Sequence, residues 1–315
     1  MKCPKCLKNH QKKYGMRCSC GYEFALDPVT FGMADGKLLS LVRRASGNDT
    51  LYFTRPQLIT SDSRISKATG YGCLAVAVVA LTIAISLLDA SPVFWITMVI
   101  GVLGVLASYT AFFITKPDDA RIFRALDAYQ NKHGKFDKLV ETPSLDSPPS
   151  NDFEPDIYDY GVEKILIVQR PLIVDLLVKN KVHVQTRSLI MCSDGYPKYL
   201  NETLTRLLNE SPELPVFFLH DSTPAGMQWL QIQLESPRLN NGKRKLIDMG
   251  FSPDDLKRLR RLDGLRLGKN DYQAPLDVVP MAMLANGIFV SFEQELPLSE
   301  IMEQNVSSDS SGSFG

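Results

Sequence analysis

This chain has no surplus charge of either sign: its 315 residues carry 35 basic and 35 acidic side chains. Bulk electrostatics therefore does not favour a nucleic-acid partner, although a local basic face remains open. Cysteine is scarce beyond residue 20. Of six in all, Cys73 and Cys192 stand alone in apolar runs, and Cys3, Cys6, Cys18 and Cys20 crowd the first twenty positions. That distribution is no disulfide framework and implies a reducing compartment for the soluble parts. The opening stretch, MKCPKCLKNHQKKYGMRCSCG, lacks both an apolar core and a small-residue cleavage site, so a signal peptide is not expected.

What the opening stretch does have is two close pairs of thiols, about a dozen residues apart. Such pairs can close a tetrahedral Zn²⁺ site, and a segment this short needs a staple in place of a core. Cys3, Cys6, Cys18 and Cys20 are the candidate ligands, with Gly21 suited to the turn after the second pair. The pattern over 1–27 resembles a zinc ribbon, with C-x-C where C-x-x-C is commoner, and His10 is a candidate substitute ligand. Four protein ligands imply a structural rather than catalytic zinc, on a module able to dock a protein partner. Free surface thiols are the alternative reading.

Residues 28–67 read as a small helical module. Leu38, Leu39, Leu41 and Val42 fit one face of a helix starting near Asp35, and Thr54, Pro56 and Gln57 read as the start of a second. Residues 68–88 and 90–115 carry no charge, and each run reaches the roughly 20 residues of a bilayer span. The expectation is a transmembrane hairpin over 68–116. Lys and Arg flank both runs and are absent from the DASP turn, which places both termini in the cytoplasm. Residues 117–160 read as an amphipathic helix ended by Gly134, then a Pro-, Ser- and acid-rich linker.

From residue 161 to 300 the pattern changes to alternating strands and helices. KILIVQ, RSLIMCS and LPVFFLH read as strands, and RPLIVDLLVKN, KYLNETLTRLLNE and GMQWLQIQLE as helices. This alternation means βαβ units: an α/β domain with a parallel sheet and helices on both faces. DVVPMAMLANGIFVSFEQE reads as a closing helix and strand, and residues 301–315 as a disordered tail. Ser252 reads as the cap of a further helix whose Lys257, Arg258 and Arg261, with Lys243, Arg244 and Lys245 upstream, are candidate phosphate contacts or a solvated face.

The words ILIVQR, SDGYPKYLNETLTRLL and LPVFFLHDSTPAGMQWL resemble the topoisomerase–primase (Toprim) domain of the topoisomerase VI A-subunit type, over roughly 162–235. The resemblance implies a glutamate ending the first strand, as acid/base or metal ligand, and an Asp-x-Asp pair ending the third, holding Mg²⁺. Here those positions read Gln169 and Asp221-Ser222-Thr223, so Asp221 alone keeps its carboxylate. A neutral amide transfers no proton and holds a divalent cation poorly, so Mg²⁺ is not expected. Asp194, after the second strand, is the candidate second carboxylate, and His220 reads as a core or hydrogen-bonding residue. No tyrosine stands out as a strand-cleaving nucleophile.

Three functions remain. The first is a membrane-anchored, non-catalytic Toprim-like module binding nucleic acid, nucleotide or protein at the cytoplasmic face. The second is a Mg²⁺-dependent phosphoesterase or nuclease using Asp221 and Asp194. The third is a membrane scaffold.

Overall fold

The computed structural model describes residues 1–61, 119–148, 157–255 and 275–303. Residues 1–61 and 125–315 form one compact unit, and 62–124 a second. The first holds a four-stranded parallel sheet of order β2-β1-β3-β4, with β1 Lys164–Val168, β2 Ser188–Cys192, β3 Val216–Leu219 and β4 Leu246–Asp248. Ile165 of β1 lies opposite Leu189 on one side and Val216 on the other.

Both sheet faces are buried, which is why the strands read as unbroken apolar runs. Leu166, Val168, Ile190, Cys192, Phe217 and Leu219 point to one face and enter a core with Ile173, Val174, Leu177, Leu284, Ile288 and Phe292. Ile165, Ile167, Leu189, Met191, Val216 and Phe218 point to the other, against Leu204, Leu208 and Leu230. Helices with apolar faces supply these partners. Among the described residues the helices include, in chain order, α1 Pro28–Phe31, α2 Asp35–Ala45, α3 Arg55–Thr60, α4 Asp119–His133, α5 Pro171–Lys179, α6 Val182–Thr186, α7 Asn201–Glu210, α8 Pro224–Leu234 and α9 Met281–Gln294. Proline opens α1, α5 and α8 within the first turn, where its missing N–H costs nothing.

The expected three strands are all present. The fourth strand is Leu246–Asp248, whereas the strand expected to close the domain is not formed: Met281–Gln294 is helical throughout. Residues 298–303 are helical too, with Ile301 and Met302 buried, and 304–315 lie outside the described residues.

The stretches before the sheet are tied to it. Phe53 N donates to Lys138 O and Val140 N to Phe53 O, a parallel bridge. Asn180, just past α5, makes two hydrogen bonds to the Tyr52 backbone, at 2.9 and 3.0 Å. Arg55 pairs with both Asp127 and Glu141.

The expectation of an integral protein with two spans and both termini in the cytoplasm has to be corrected. No helix among the described residues is long and apolar enough to cross a membrane. The runs 68–88 and 90–115 that carried that expectation lie outside the described residues.

Asp175 of α5 anchors the segment that precedes the sheet. Fully buried, it accepts Ser144 N at 2.7 Å, Ser144 Oγ at 2.9 Å and the Tyr196 hydroxyl, which itself accepts Leu145 N at 2.7 Å. Lys179 Nζ stands 3.6 Å away. Asp175→Ala strands three donors at once, and the expected loss is about 3 kcal/mol in urea unfolding. Tyr196→Phe, which keeps the carboxylate and its Ser144 bonds, is expected to lose about half of that.

Candidate functional site

In an open parallel sheet, ligands bind beyond the carboxyl ends of the strands, where neighbouring connections leave in opposite directions. Here that point lies between β1 and β3, and the residues that follow those two strands meet there. Gln169 N continues the ladder to Leu219 O at 2.9 Å, and Asp221 N donates to Gln169 Oε1 at 2.9 Å. The amide at the glutamate-like position thus serves the neighbouring backbone. Gly226, in the first turn of α8, presses against this junction: a Cβ there would stand 2.1 Å from Asp221 O and 3.2 Å from Gln169 Oε1. Thr223 Oγ1 accepts Gly226 N at 3.0 Å and caps α8.

The Asp221 carboxylate is engaged by its own chain. Arg170, the residue just before α5, places Nη2 3.0 Å from Asp221 Oδ1 and Nε 2.7 Å from Oδ2. The Nη2 bond is an aligned hydrogen bond; the Nε contact is a charge contact without hydrogen-bond alignment. The same Nη2 reaches Asp277 Oδ1 at 2.5 Å, and Asp277 is buried. Leu276 N adds a hydrogen bond to Asp221 Oδ1 at 2.7 Å. Burial alone would lower the Arg170 pKa, but the Asp277 and Asp221 carboxylates outweigh it and raise it above its ordinary value. The guanidinium is therefore a permanent cation between two carboxylates.

Asp194 is not part of this arrangement. β1 lies between its strand and that of Asp221, and its exposed carboxylate accepts Tyr196 N at 3.2 Å within its own turn. His220 is buried, with Nδ1 2.9 Å from Asp221 O and Nε2 3.1 Å from Asp248 Oδ1. Gly250 leaves room for the ring, since a Cβ there would stand 2.2 Å from Nε2. Sequence reading missed Asp277 and Asp248. Their only signal was an acid beside a strand or turn, with nothing to tell which edge it would reach.

The second candidate site is the cysteine cluster. The four Sγ atoms of Cys3, Cys6, Cys18 and Cys20 lie within 4.8 Å of one another, with Cys3–Cys20 at 3.5 Å and Cys6–Cys18 at 3.7 Å. A tetrahedron of Zn–S bonds near 2.3 Å spaces its sulfurs by about 3.8 Å, so the set fits zinc. Each pair sits in a tight knuckle closed by a left-handed residue, Leu7 (φ 61°) and Gly21 (φ 85°). The Cys18 thiol is lowered to about 6, chiefly by the Cys20 backbone N–H. For Cys6 the Lys8 N–H lowers the pKa, but burial and the other thiols prevail and raise it to about 11. His10 is not a ligand here: its Nε2 meets Gly15 O at 2.8 Å and its ring stacks on Phe24.

The module is pinned to its neighbours by polar contacts. Buried Asp35 accepts Tyr22 Oη, Ala25 N and Leu26 N, and Tyr22 stacks on His133. Lys132 donates to Phe24 O at 3.1 Å.

Of the residues read as candidate phosphate contacts or a solvated face, Arg244 is buried and donates to Leu239 O, Leu208 O and Ser211 O, closing the end of α7. Lys245 pairs with Glu295. Ser252 and Asp255 make reciprocal capping bonds at 2.8 and 3.1 Å, but Lys257, Arg258 and Arg261 lie outside the described residues.

Both ring nitrogens of His220 face oxygen acceptors, an arrangement only the imidazolium satisfies at both ends. Burial would lower its pKa, but the Asp248 hydrogen bond and charge prevail and raise it above 6.5. Stability from this group is therefore full below about pH 6.5 and is lost as pH rises through the raised folded value. Urea unfolding at several pH values should show this decline, and Asp248→Asn should flatten it.

A family model for the Toprim domain of the topoisomerase 6 A-subunit/Spo11 group matches residues 164–260, 97 of the 315. No match was found among curated proteins or among solved structures. The match begins at β1 and takes in all four strands, so the α/β part of this chain is similar to that Toprim domain.

Proposed function

We propose that this chain is a Toprim-like binding module that has exchanged metal-dependent phosphoryl chemistry for an internal ion pair, and that its N-terminal segment is held by zinc. The observation that carries the reading is Arg170, whose guanidinium lies between Asp221 and Asp277. It stands where Mg²⁺ would have to approach Asp221. A guanidinium neutralises carboxylates as a divalent cation does, but it cannot lower the pKa of a bound water or polarise a phosphoryl oxygen. Gln169 offers no proton to transfer, and Thr223 is committed to capping α8. Asp221 is then a structural anion that fixes the loop bearing Leu276 and Asp277 against the sheet edge.

Zinc on Cys3, Cys6, Cys18 and Cys20 would supply the stability that a segment with so small a core cannot. The thiolates hold the metal; Tyr22, Glu23 and Phe24 then carry that order to Asp35, Lys132 and His133.

The sheet edge is tested by titration calorimetry with Mg²⁺ and by a phosphodiester cleavage assay on the full chain. The wild type is expected to take up no Mg²⁺ at millimolar concentration and to cleave nothing. Arg170→Ala leaves two carboxylates without their cation and is expected to cost about 3–5 kcal/mol. Mg²⁺ should then raise the melting temperature of that variant and leave the wild type unmoved. Tight Mg²⁺ binding by the wild type, abolished in Asp221→Ala, would overturn the reading. Restoring Gln169→Glu and Thr223→Asp is expected to build a Mg²⁺ site only when Arg170 is replaced as well.

For the metal, elemental analysis should find one zinc per chain. Cys3→Ser with Cys6→Ser should abolish it and expose the backbone amides of residues 1–27 to hydrogen exchange. A metal-free wild type with those amides protected would sink the zinc assignment.

A further inference from the structure

The first 22 residues carry Lys2, Lys5, Lys8, Lys12, Lys13 and Arg17 and no acidic residue before Glu23, in a chain whose charges otherwise balance. Zinc on four thiolates contributes two negative charges, so the module stays net positive. All six cationic residues are exposed. Lys12 pairs with Asp27, and Arg17 lies 3.9 Å from Glu23; Lys2, Lys5 and Lys8 form no ion pair among the described residues. Tyr14 stands out among them, with 69% of its surface exposed and Lys13 Nζ 4.9 Å from its ring centroid. The Tyr14 ring also meets the His10 ring at 6.5 Å, yet most of its surface is left open, and Lys2, Lys5 and Lys8 stand exposed around the first cysteine pair.

We infer that the cysteine module binds single-stranded nucleic acid. Lys2, Lys5 and Lys8 would meet the phosphates, and Tyr14 would stack an unpaired base. The combination is what the inference rests on. Lysines alone would suit any polyanion, but an exposed aromatic in the same short segment, with Lys13 beside its ring, adds a flat surface on which an unpaired base stacks. A duplex keeps its base faces stacked inside and offers Tyr14 nothing. An acidic protein would satisfy the lysines and leave the ring bare. The inference rests on the zinc reading for the fold of the module but not on the Arg170 reading, because the cysteine module and the sheet edge concern different surfaces and different ligands. Failure of either leaves the other standing.

The experiment uses the full-length, zinc-loaded protein and a fluorescently labelled oligo(dT), with a duplex of equal length and polyglutamate as competitors. Anisotropy should report binding that weakens steeply with salt. Lys5→Ala with Lys8→Ala should lower the slope of log K against log salt by about 1.4, at about 0.7 per phosphate contact on a single strand. Tyr14→Ala should weaken binding about tenfold and Tyr14→Phe should restore it, since the ring and not the hydroxyl stacks. A zinc content of one per chain in every variant shows that the module remains folded, because no ligand is changed. No binding to oligo(dT) would overturn the inference. So would binding that ignores Lys5 and Lys8, polyglutamate competing as well as oligo(dT), or a duplex bound as tightly with Tyr14→Ala without effect.

Discussion

The contact on which the sheet edge depends is the guanidinium of Arg170 between Asp221 and Asp277. Its three members come from separate parts of the chain: the residue two past β1, the residue two past β3, and a turn more than fifty positions later. They meet only if the strands are parallel and in register, so the pair is both a product of the sheet and a check on it. Two carboxylates on one guanidinium leave a negative charge to be compensated, and Leu276 N contributes by donating to Asp221. The turn bearing Leu276 is held in turn from the far N-terminal side, where Gln57 Nε2 donates to Val279 O at 2.7 Å. Residues before the sheet, at its edge and after it are thus held by one small set of polar contacts.

An arginine and a divalent cation solve the same electrostatic problem with different consequences. Either offsets the cost of gathering carboxylates in a partly buried place. A divalent cation exchanges with solvent, keeps open positions for water and substrate oxygens, and acts as a Lewis acid. An arginine is tethered, carries its charge at any accessible pH and commits its donors to fixed partners. The first choice leaves a site that can work on a phosphate, and the second leaves a rigid edge. Gln169 agrees with the second choice: its oxygen accepts Asp221 N and so holds β1 and β3 together at the point where the family pattern would place an acid.

Much of this fold can be read in the chain because its local signals agree with its tertiary needs. The strands of KILIV, SLIMC and VFFL carry apolar residues at nearly every position, which only burial on both faces permits. Proline inside the first turn of α5 and α8 marks where those helices begin. Gly134, at φ 94°, ends α4 as expected, and the Gln57 half of a capping box forms at α3, where Gln57 Oε1 accepts Thr54 N. β4 was not legible, because three residues after Asn-Asn-Gly-Lys-Arg-Lys carry too little periodicity to separate a strand from a loop. The Arg170 pair was hidden for another reason. Nothing in a linear sequence says that an arginine beside the glutamate-like position will turn toward Asp221, or that an aspartate 107 residues away will share it.

Composition hid the N-terminal asymmetry just as completely. A chain balanced at 35 and 35 looks electrically featureless, yet its first 22 residues hold six cations and no acid. A domain that closes on a core must turn its large side chains inward and balance the charges it gathers. The segment gathered around the four sulfurs buries Cys3, Cys18 and Phe24, with Met1, Met16 and Tyr22 partly buried against them. With so small a core to fill, its six cationic residues and Tyr14 stand exposed. The sheet edge has the opposite economy, with its guanidinium committed to two carboxylates of the same chain. Recognition is therefore better sought where the fold has left its charges unmatched than where the family pattern would place it.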